Sequence, residues 1–138
     1  MHTLIVTAHP EPGALTHAIA RRIGEAITAS DAANSVTHAD LMAEGFDPRF
    51  NMQDQALFRG IGATPADVAA EQARLQAADT LVLVYPLYWW SFPALLKGWI
   101  DRVFTQGWAY RTAPMARCRK SCSGWACIWS ASAGLART

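Results

Sequence analysis

The chain has 138 residues, is 51% hydrophobic and carries a net charge of +1, which is enough apolar sequence for one domain with a buried core. No apolar run reaches the roughly 20 residues that cross a bilayer, and the N-terminus lacks the features of an export signal. We therefore expect a cytoplasmic protein without membrane insertion.

Charge divides the chain into two parts. Residues 1–114 contain eight Lys and Arg and all eleven Asp and Glu, whereas residues 115–138 contain four Lys and Arg and no acidic residue. The larger part is mildly acidic, so no nucleic-acid-binding surface is indicated. We predict a domain over residues 1–114 and a basic tail over residues 115–138 that is not native to the fold.

The first predicted unit is a strand, a turn and a helix. Thr3 to Thr7 is a short β-branched run, typical of a strand buried on both faces. A Pro- and Gly-rich turn containing His9 follows. A helix comes next, with a predicted apolar stripe of Leu15, Ala18, Ile19, Ile23, Ala26 and Ile27. Such a turn can present backbone N–H groups to a phosphate. Any βα unit has this feature, and His9 is equally explained as a turn residue bonded to nearby backbone.

The middle of the chain predicts an edge strand and a second helix. Asn34 to Ala39 is short and less apolar, which favours a position near the sheet edge. A connection over residues 40–63 contains Phe46, Phe50 and Phe58, and we expect it to form an ordered loop. Thr64 is then predicted to cap a helix that runs to about Ala78.

A buried strand, an aromatic loop and an amphipathic helix are predicted between Leu81 and Tyr110. Leu81 to Tyr85 is unbroken apolar sequence. Ser91 is the expected cap of the helix, with Pro93 in its first turn. Gly98 inside the helix indicates that another backbone comes close.

The alternation of strands and helices predicts an α/β fold with a parallel sheet covered on both faces. A ligand would then bind beyond the carboxyl ends of the strands, where the strand order reverses. The two loops at that edge are residues 9–16 and 86–91. Tyr88, Trp89 and Trp90 in the second loop suit either stacking on a flat ring such as a flavin, or an interface with another surface.

A family resemblance rests on long motifs. The run PLYWWSFPALLKGWIDRVF, followed by GWAY, resembles the signature of the flavin-dependent NAD(P)H:quinone oxidoreductases, the DT-diaphorase-like branch of the flavodoxin-like fold. LIVTAHPEP, the Asp40–Leu41 pair and AEQARLQAADTLVLVYPL are similar to the same family. The match covers residue 3 to about residue 112.

The resemblance implies a fold, a reaction and a set of site residues. The fold would be a flavodoxin-like three-layer sandwich, incomplete at its C-terminal end, that forms a homodimer. The reaction would pass hydride from NAD(P)H through FAD or FMN to a quinone, a two-electron reduction that needs no catalytic side-chain nucleophile. The implied flavin-binding residues are His9, Leu15, Thr16, Pro86, Leu87, Tyr88 and Trp89. Trp90 would wall the nicotinamide and quinone pocket, and Tyr110 would reach the site of the partner subunit.

Two features depart from the family pattern. The family tends to carry Ser-Phe-Asn in the phosphate turn, whereas this chain has Ala14, Leu15 and Thr16, so one hydroxyl is missing. The Gly-rich loop that follows the fourth strand in the family is absent after residue 112.

The tail itself indicates neither a metal site nor a disulfide. Cys118, Cys122 and Cys127 are spaced four and five residues apart without a histidine, unlike paired zinc ligands, and no export signal supports a disulfide. We expect no metal.

A shifted reading frame is a sharper hypothesis for the tail. Back-translated with permitted codons and read one base earlier, the tail gives DGPMPKKLLGLGMHLVGIGGTRP, which resembles the family's basic linker, apolar strand and Gly-Gly loop. Such a chain would lack its fourth and fifth strands, and the strand at Leu81 to Tyr85 would lie at an open edge. The nucleotide sequence tests this hypothesis.

Two other functions remain open. The chain could be a flavin-binding regulatory subunit, because relatives of this fold serve as ancillary proteins of potassium efflux systems. It could also be a fragment that binds nothing.

Overall fold

A computed structural model describes the backbone of residues 1–111, 119–120 and 126–132. The strands are β1 His2–Thr7, β2 Ser35–Asp40, β3 Thr80–Pro86, β4 Tyr110–Arg111, β5 Arg119–Lys120 and β6 Ala126–Ser132. The helices are α1 Leu15–Ser30, α2 Met52–Phe58, α3 Ala66–Gln76 and α4 Ala94–Val103.

The main sheet is parallel and has the strand order β2-β1-β3-β6. Thr7 at the end of β1 pairs with Asp40 of β2 on one side and with Val84 of β3 on the other. The predicted edge position of the second strand is confirmed. A separate antiparallel pair joins β4 to β5.

The expectation that β3 lies at an open edge was wrong. Thr80 to Pro86 pair in parallel along their whole length with Ala126 to Ser132. The tail segment ACIWSAS contains a short apolar run, and an unpaired row of β3 backbone groups favours pairing with any such segment. The domain boundary near residue 115 stays a prediction.

Three layers form because side chains of successive strand residues point to opposite faces. Leu4 and Val6 of β1 join a core with α3 and α4 that includes Trp99. Ile5 and Val82 join a second core, which Ala20 of α1 also enters. The prediction of strands buried on both faces, in a flavodoxin-like sandwich, is confirmed.

The predicted apolar stripe of α1 was partly wrong. Its buried residues are Thr16, Ala20 and Gly24, whereas Leu15 is 66% exposed and Ala26 is exposed. The stripe was drawn around the large apolar residues, but small residues allow the helix to lie closer to the sheet.

The predicted helix caps were also wrong. Helix α3 begins after Pro65 and α4 begins after Pro93, and no side chain caps either helix. Pro65 and Pro93 themselves occupy the N-cap positions, so Thr64 and Ser91 lie upstream of the residue that could cap each helix.

The connection over residues 40–63 is more regular than predicted, because it contains α2. Asn51 caps this helix by accepting hydrogen bonds from the N–H groups of Gln53 and Asp54, and the Asp54 carboxylate accepts from the Asn51 N–H in return. This reciprocal arrangement is a capping box, which fixes where a short helix begins.

Gly98 confirms the prediction of a close backbone approach. A Cβ atom at this position would overlap the carbonyl group of Pro48. The residue 46–50 segment therefore packs directly on the backbone of α4.

Candidate functional site

The candidate site lies at the carboxyl ends of β1 and β3. From β1 the chain crosses to β2 on one side, and it later enters β3 on the other side of β1. The strand order therefore reverses between these two neighbouring strands, and the loops that follow them diverge. In open sheets of this type a ligand binds between two such loops, which here are the β1–α1 turn and the β3–α4 loop.

The β3–α4 loop contains a tight turn with two tryptophans at its tip. The backbones of Tyr88 and Ser91 exchange hydrogen bonds of 3.1 and 3.0 Å. Trp89 and Trp90 between them have φ angles of 47° and 60°, the left-handed conformation of both central residues in a type I′ turn. Such a turn normally uses Asn and Gly, and each residue of another type costs about 1–3 kcal/mol.

The same turn exposes its aromatic rings. Trp89 and Trp90 are each 94% exposed, and Leu87 and Tyr88 are 41% and 47% exposed. Contiguous apolar surface of this kind usually marks a place where another molecule binds. Backbone strain combined with exposed rings therefore indicates a binding platform.

The base of the loop is held firmly. The ring of Phe92 packs against Tyr85 with 5.0 Å between centroids, and Pro93 is buried. Burial raises the pKa of the Tyr85 phenol, so this side chain stays neutral at physiological pH. Pro86 is half-buried at the end of β3. The exposed tip thus projects from a rigid support.

The β1–α1 turn carries hydrogen-bond donors. His9 is half-buried, and its Nδ1 accepts a hydrogen bond of 3.1 Å from the Glu11 N–H. A neutral His9 ring therefore carries its proton on Nε2, as a donor. Helix α1 begins after Ala14 without a side-chain cap or an acidic residue in its first turn. Its N-terminus therefore suits an anion.

The two predicted residues in the first turn of α1 differ in exposure. Thr16 is 3% exposed and packs inward, whereas Leu15 is 66% exposed. Any contact of Thr16 with a ligand therefore uses mainly its backbone N–H, and Leu15 offers apolar surface.

His17 is a residue of this turn that the sequence did not single out. Its Nε2 lies 3.4 Å from the carbonyl oxygen of His9, and its Nδ1 lies 3.8 Å from Oδ2 of Asp40. Asp40 belongs to the Asp40–Leu41 motif noted in the sequence. The motif was visible in the sequence, but its contact with His17 joins residues that are 23 positions apart and forms only in the folded chain.

Tyr110 does not join the other predicted residues within one chain. It lines a cleft of about 520 Å³ between α2 and α4, together with Phe50, Phe58, Ile100 and Phe104. Phe50 and Phe58 are about half exposed. The two loops follow neighbouring strands, whereas Tyr110 lies at a different surface.

Arg102 on α4 is buried, with 3% exposure, and it connects α4 to the segment before α2. Its guanidinium donates to Asp54 at 2.9 Å, to Asp67 at 2.7 Å and to the carbonyl oxygen of Asp47 at 2.7 Å. Burial by itself lowers the pKa of Arg102, but hydrogen bonds to Asp67 and Asp54 outweigh it and raise that pKa. Arg102 therefore stays charged and fixes the wall of the Tyr110 cleft.

The described residues include neither a membrane-spanning helix nor a metal-binding cluster. No helix in that part of the chain is long and apolar enough to cross a membrane. No group of three or more His, Cys, Asp or Glu residues among the described side chains could hold a metal ion. Cys118 and Cys122 lie outside the described residues.

These observations define an α/β protein with a parallel sheet whose strand order reverses between β1 and β3. The profile of a protein family described by its flavodoxin-like fold matches residues 1–136. The chain belongs to this family.

Individual relatives agree with the family assignment. An uncharacterized NAD(P)H oxidoreductase of Haemophilus influenzae is 39% identical over 113 residues, covering 81% of this chain and 54% of the relative. The NAD(P)H:quinone oxidoreductase of Methanothermobacter marburgensis is 33% identical, with a TM-score of 0.71 over 80% of this chain and 56% of that structure. General stress protein 14 of Treponema denticola, solved in complex with FMN, is 30% identical, with a TM-score of 0.56 over 81% of this chain and 53% of its own. The chain spans about half the length of the curated relatives it matches.

Proposed function

We propose that this chain is a flavin-dependent NAD(P)H:quinone oxidoreductase, which reduces quinones or similar acceptors by two electrons. The observation that carries the proposal is the strained turn of Tyr88 to Ser91, whose exposed rings follow β3, while the neighbouring strand β1 leads to the uncapped N-terminus of α1. A platform for a flat ring and an anion site on adjacent strands match the two ends of a flavin nucleotide. The similarity to NAD(P)H and quinone oxidoreductases supports the reaction class.

The residues present fit FAD or FMN. The phosphate side would be held by His9 Nε2–H and by the backbone N–H groups at the start of α1, with Leu15 and Thr16 as neighbours. Pro86, Leu87, Tyr88 and Trp89 would line the ring. Ala14 supplies no hydroxyl here, so backbone N–H groups would carry most of the phosphate contact.

When bound, the flavin supplies the acceptance and donation of hydride between nicotinamide and quinone. The side chains of this chain bind and orient the reactants and exclude water. Trp90, at 94% exposure, would form a wall against which the nicotinamide or quinone stacks. No side chain needs to act as a nucleophile.

The proposal includes a homodimer. The residues that line the Tyr110 cleft do not belong to the two loops, so they would complete the site of the partner subunit rather than their own. The half-exposed rings of Phe50 and Phe58 offer apolar surface for such an interface. We also propose a cytoplasmic location, because NAD(P)H is an intracellular hydride donor. The names of the relatives favour an enzyme over a regulatory subunit.

The test is to purify the chain with excess FAD or FMN and to record the visible spectrum. We expect a bound yellow flavin that NADPH bleaches under anaerobic conditions and that a quinone then restores. A Trp89→Ala and Trp90→Ala double variant is the matched control, and its flavin should be lost or weakened at least about tenfold, given the value of stacked aromatic pairs. Absence of bound flavin at micromolar excess would overturn the proposal.

A further inference from the structure

The Tyr110 cleft has aromatic walls. Three phenylalanine rings and one tyrosine ring line it: Phe50, Phe58, Phe104 and Tyr110. Its volume of about 520 Å³ lies within the range of small-molecule sites, which are mostly apolar and contain a few polar groups. The faces of aromatic rings are negatively polarised and attract cations. The walls therefore suit a ligand that combines an apolar body with a positive charge.

A smaller cavity of about 20 Å³ adjoins this cleft, because all four aromatic residues line both. It adds four polar residues, which are Asp54, Arg102, Thr105 and Gln106. A cavity of this volume holds about one water-sized group, and an ammonium group has that size. The cleft thus continues into a small polar space.

Asp54 supplies a buried acceptor to the smaller cavity. The residue is 3% exposed. Its Oδ2 accepts hydrogen bonds from Nε of Arg102 at 2.9 Å and from the N–H of Asn51 at 2.8 Å, whereas its Oδ1 accepts none from the described residues. A buried carboxylate oxygen without a donor is costly. An ammonium group carries three donors and no acceptor, so it would complete this oxygen.

The charges around the two cavities also favour a cation. Arg102 is the one cation among the described residues that line them, and its charge is already matched by Asp54 and Asp67. Asp101, which lines both cavities, pairs with Lys97 at 2.6 Å, and such an exposed ion pair contributes little. These three carboxylates and two bases leave one net negative charge at the site.

We propose that the Tyr110 cleft binds an aromatic primary ammonium compound, whose ring lies between the aromatic walls and whose ammonium group pairs with Asp54 Oδ1 and is attracted by Asp101. The rings of Phe50 and Phe58 line both cavities and are about half exposed, so they can rotate to admit the ammonium group.

This binding is a property of the single chain. In the proposed homodimer the cleft borders the site of the partner subunit, so amino-substituted aromatic acceptors are the class that this site favours. That statement about acceptors rests on the proposed function, whereas binding of the ammonium compound does not.

The first experiment is an NMR titration of the flavin-free chain with benzylammonium at neutral pH. We expect a dissociation constant on the order of 1 mM or below, with shifts of the Phe50, Phe58 and Tyr110 resonances. Benzyl alcohol, which has the same shape but no charge, should bind about tenfold more weakly. Equal affinity for the two compounds, or shifts confined to residues outside the cleft, would overturn the inference.

Benzyltrimethylammonium separates the charge from the hydrogen-bond donor. It is positively charged, but it has no N–H group and its head is too large for the smaller cavity. We expect it to bind severalfold more weakly than benzylammonium. Tighter binding of the trimethylated compound would contradict the pairing with Asp54.

The two members of one ion pair should have opposite effects. Asp101→Asn removes a negative charge and should weaken benzylammonium binding about threefold, whereas Lys97→Ala releases the Asp101 carboxylate and should strengthen it by a similar factor. Glu25→Gln is the matched control, because Glu25 is an exposed acid in a helical ion pair with Arg22 and does not line the cleft. Effects of the same sign at Asp101 and Lys97, or an equal effect at Glu25, would refute the assignment.

Asp54→Asn tests the buried acceptor, and circular dichroism reports whether this variant folds. In the folded variant the preference for benzylammonium over benzyl alcohol should largely disappear, and its persistence would count against the inference. If the variant does not fold, the Asp101 and Lys97 variants decide. A chain that prefers benzylammonium but binds no flavin would support the inference while the proposed function fails. Bound flavin without that preference would have the opposite meaning.

Discussion

Three tryptophans within eleven residues have opposite environments. Trp89 and Trp90 are 94% exposed on a strained turn, whereas Trp99 on the next helix is fully buried. The indole N–H of Trp99 donates to Glu71 at 2.9 Å, and Arg74 donates to the other oxygen of the same carboxylate at 2.9 Å. Tryptophan therefore has two different roles in this chain.

The difference separates binding surface from structural support. The buried ring contributes packing and a satisfied hydrogen bond, and it holds α4 against α3. The exposed rings contribute little to folding, and their backbone costs free energy. Backbone strain that is retained beside exposed aromatic surface indicates a role in binding. Substitution of Trp99 should therefore lower stability, whereas substitution of Trp89 and Trp90 should weaken binding.

The largest expected effect is that of Trp99→Ala. Removal of a buried indole should lower the free energy of unfolding by about 3–5 kcal/mol, because it leaves a cavity and removes a hydrogen bond from Glu71. Denaturant titration followed by circular dichroism measures this change. Trp89→Ala is the control and should stay within about 0.5 kcal/mol of the wild type. Equal losses in both variants would contradict the comparison.

Gly98→Ala should lower the free energy of unfolding by about 1–3 kcal/mol, since the added Cβ forces the Pro48 backbone away from α4. In an exposed helix the same substitution would stabilise, so the sign of the change is diagnostic. Gly13→Ala is the control, because among the described residues no atom beyond the two chain neighbours lies within 4 Å of a Cβ added there. A stabilised Gly98→Ala chain would refute the close approach.

Replacement of Trp89 and Trp90 by Asn and Gly should raise the free energy of unfolding by about 1 kcal/mol, because Asn-Gly is the preferred pair for a type I′ turn. The same double variant should lose flavin binding, because both rings are gone. The Trp89→Ala and Trp90→Ala double variant should lose binding without gaining stability. Chemical denaturation and flavin titration separate the two effects, and a destabilised Asn-Gly variant would count against strain in this turn.

The smallest effect concerns pH. Burial alone would raise the pKa of Asp67, but hydrogen bonds from Arg102 and from backbone N–H groups outweigh it and hold that pKa below its usual range. The lowered pKa stabilises the fold above the unfolded value of about 3.9, and this contribution disappears as pH falls through the folded pKa. Because the carboxylate is half exposed, we expect it to contribute less than about 1 kcal/mol to the free energy of unfolding.

Asp67→Asn tests this linkage. Its free energy of unfolding should fall less than that of the wild type between about pH 5 and about pH 3. Lys97→Ala, which removes an exposed ion pair with Asp101, is a control for general charge effects. Identical pH dependence in Asp67→Asn and the wild type would contradict the assignment.

Much of the architecture could be predicted from local sequence. Apolar runs such as Leu81 to Tyr85 predict buried parallel strands, and Gly98 predicted a close backbone approach that Pro48 provides. The predicted caps at Thr64 and Ser91 were wrong because a proline occupies the N-cap position of each helix instead. Helix α2 was missed because its seven residues are too few to show a helical periodicity in the sequence.

The sequence by itself determined the alternation of elements, the two loops at the carboxyl edge and the aromatic content of the second loop, since these depend on residue type and short-range spacing. Only the tertiary structure decided that Trp89 and Trp90 are strained and exposed while Trp99 is buried, that β6 covers β3, and that His17 meets Asp40. Those features depend on contacts between residues far apart in the chain, which come together only when strands pair and helices pack on them.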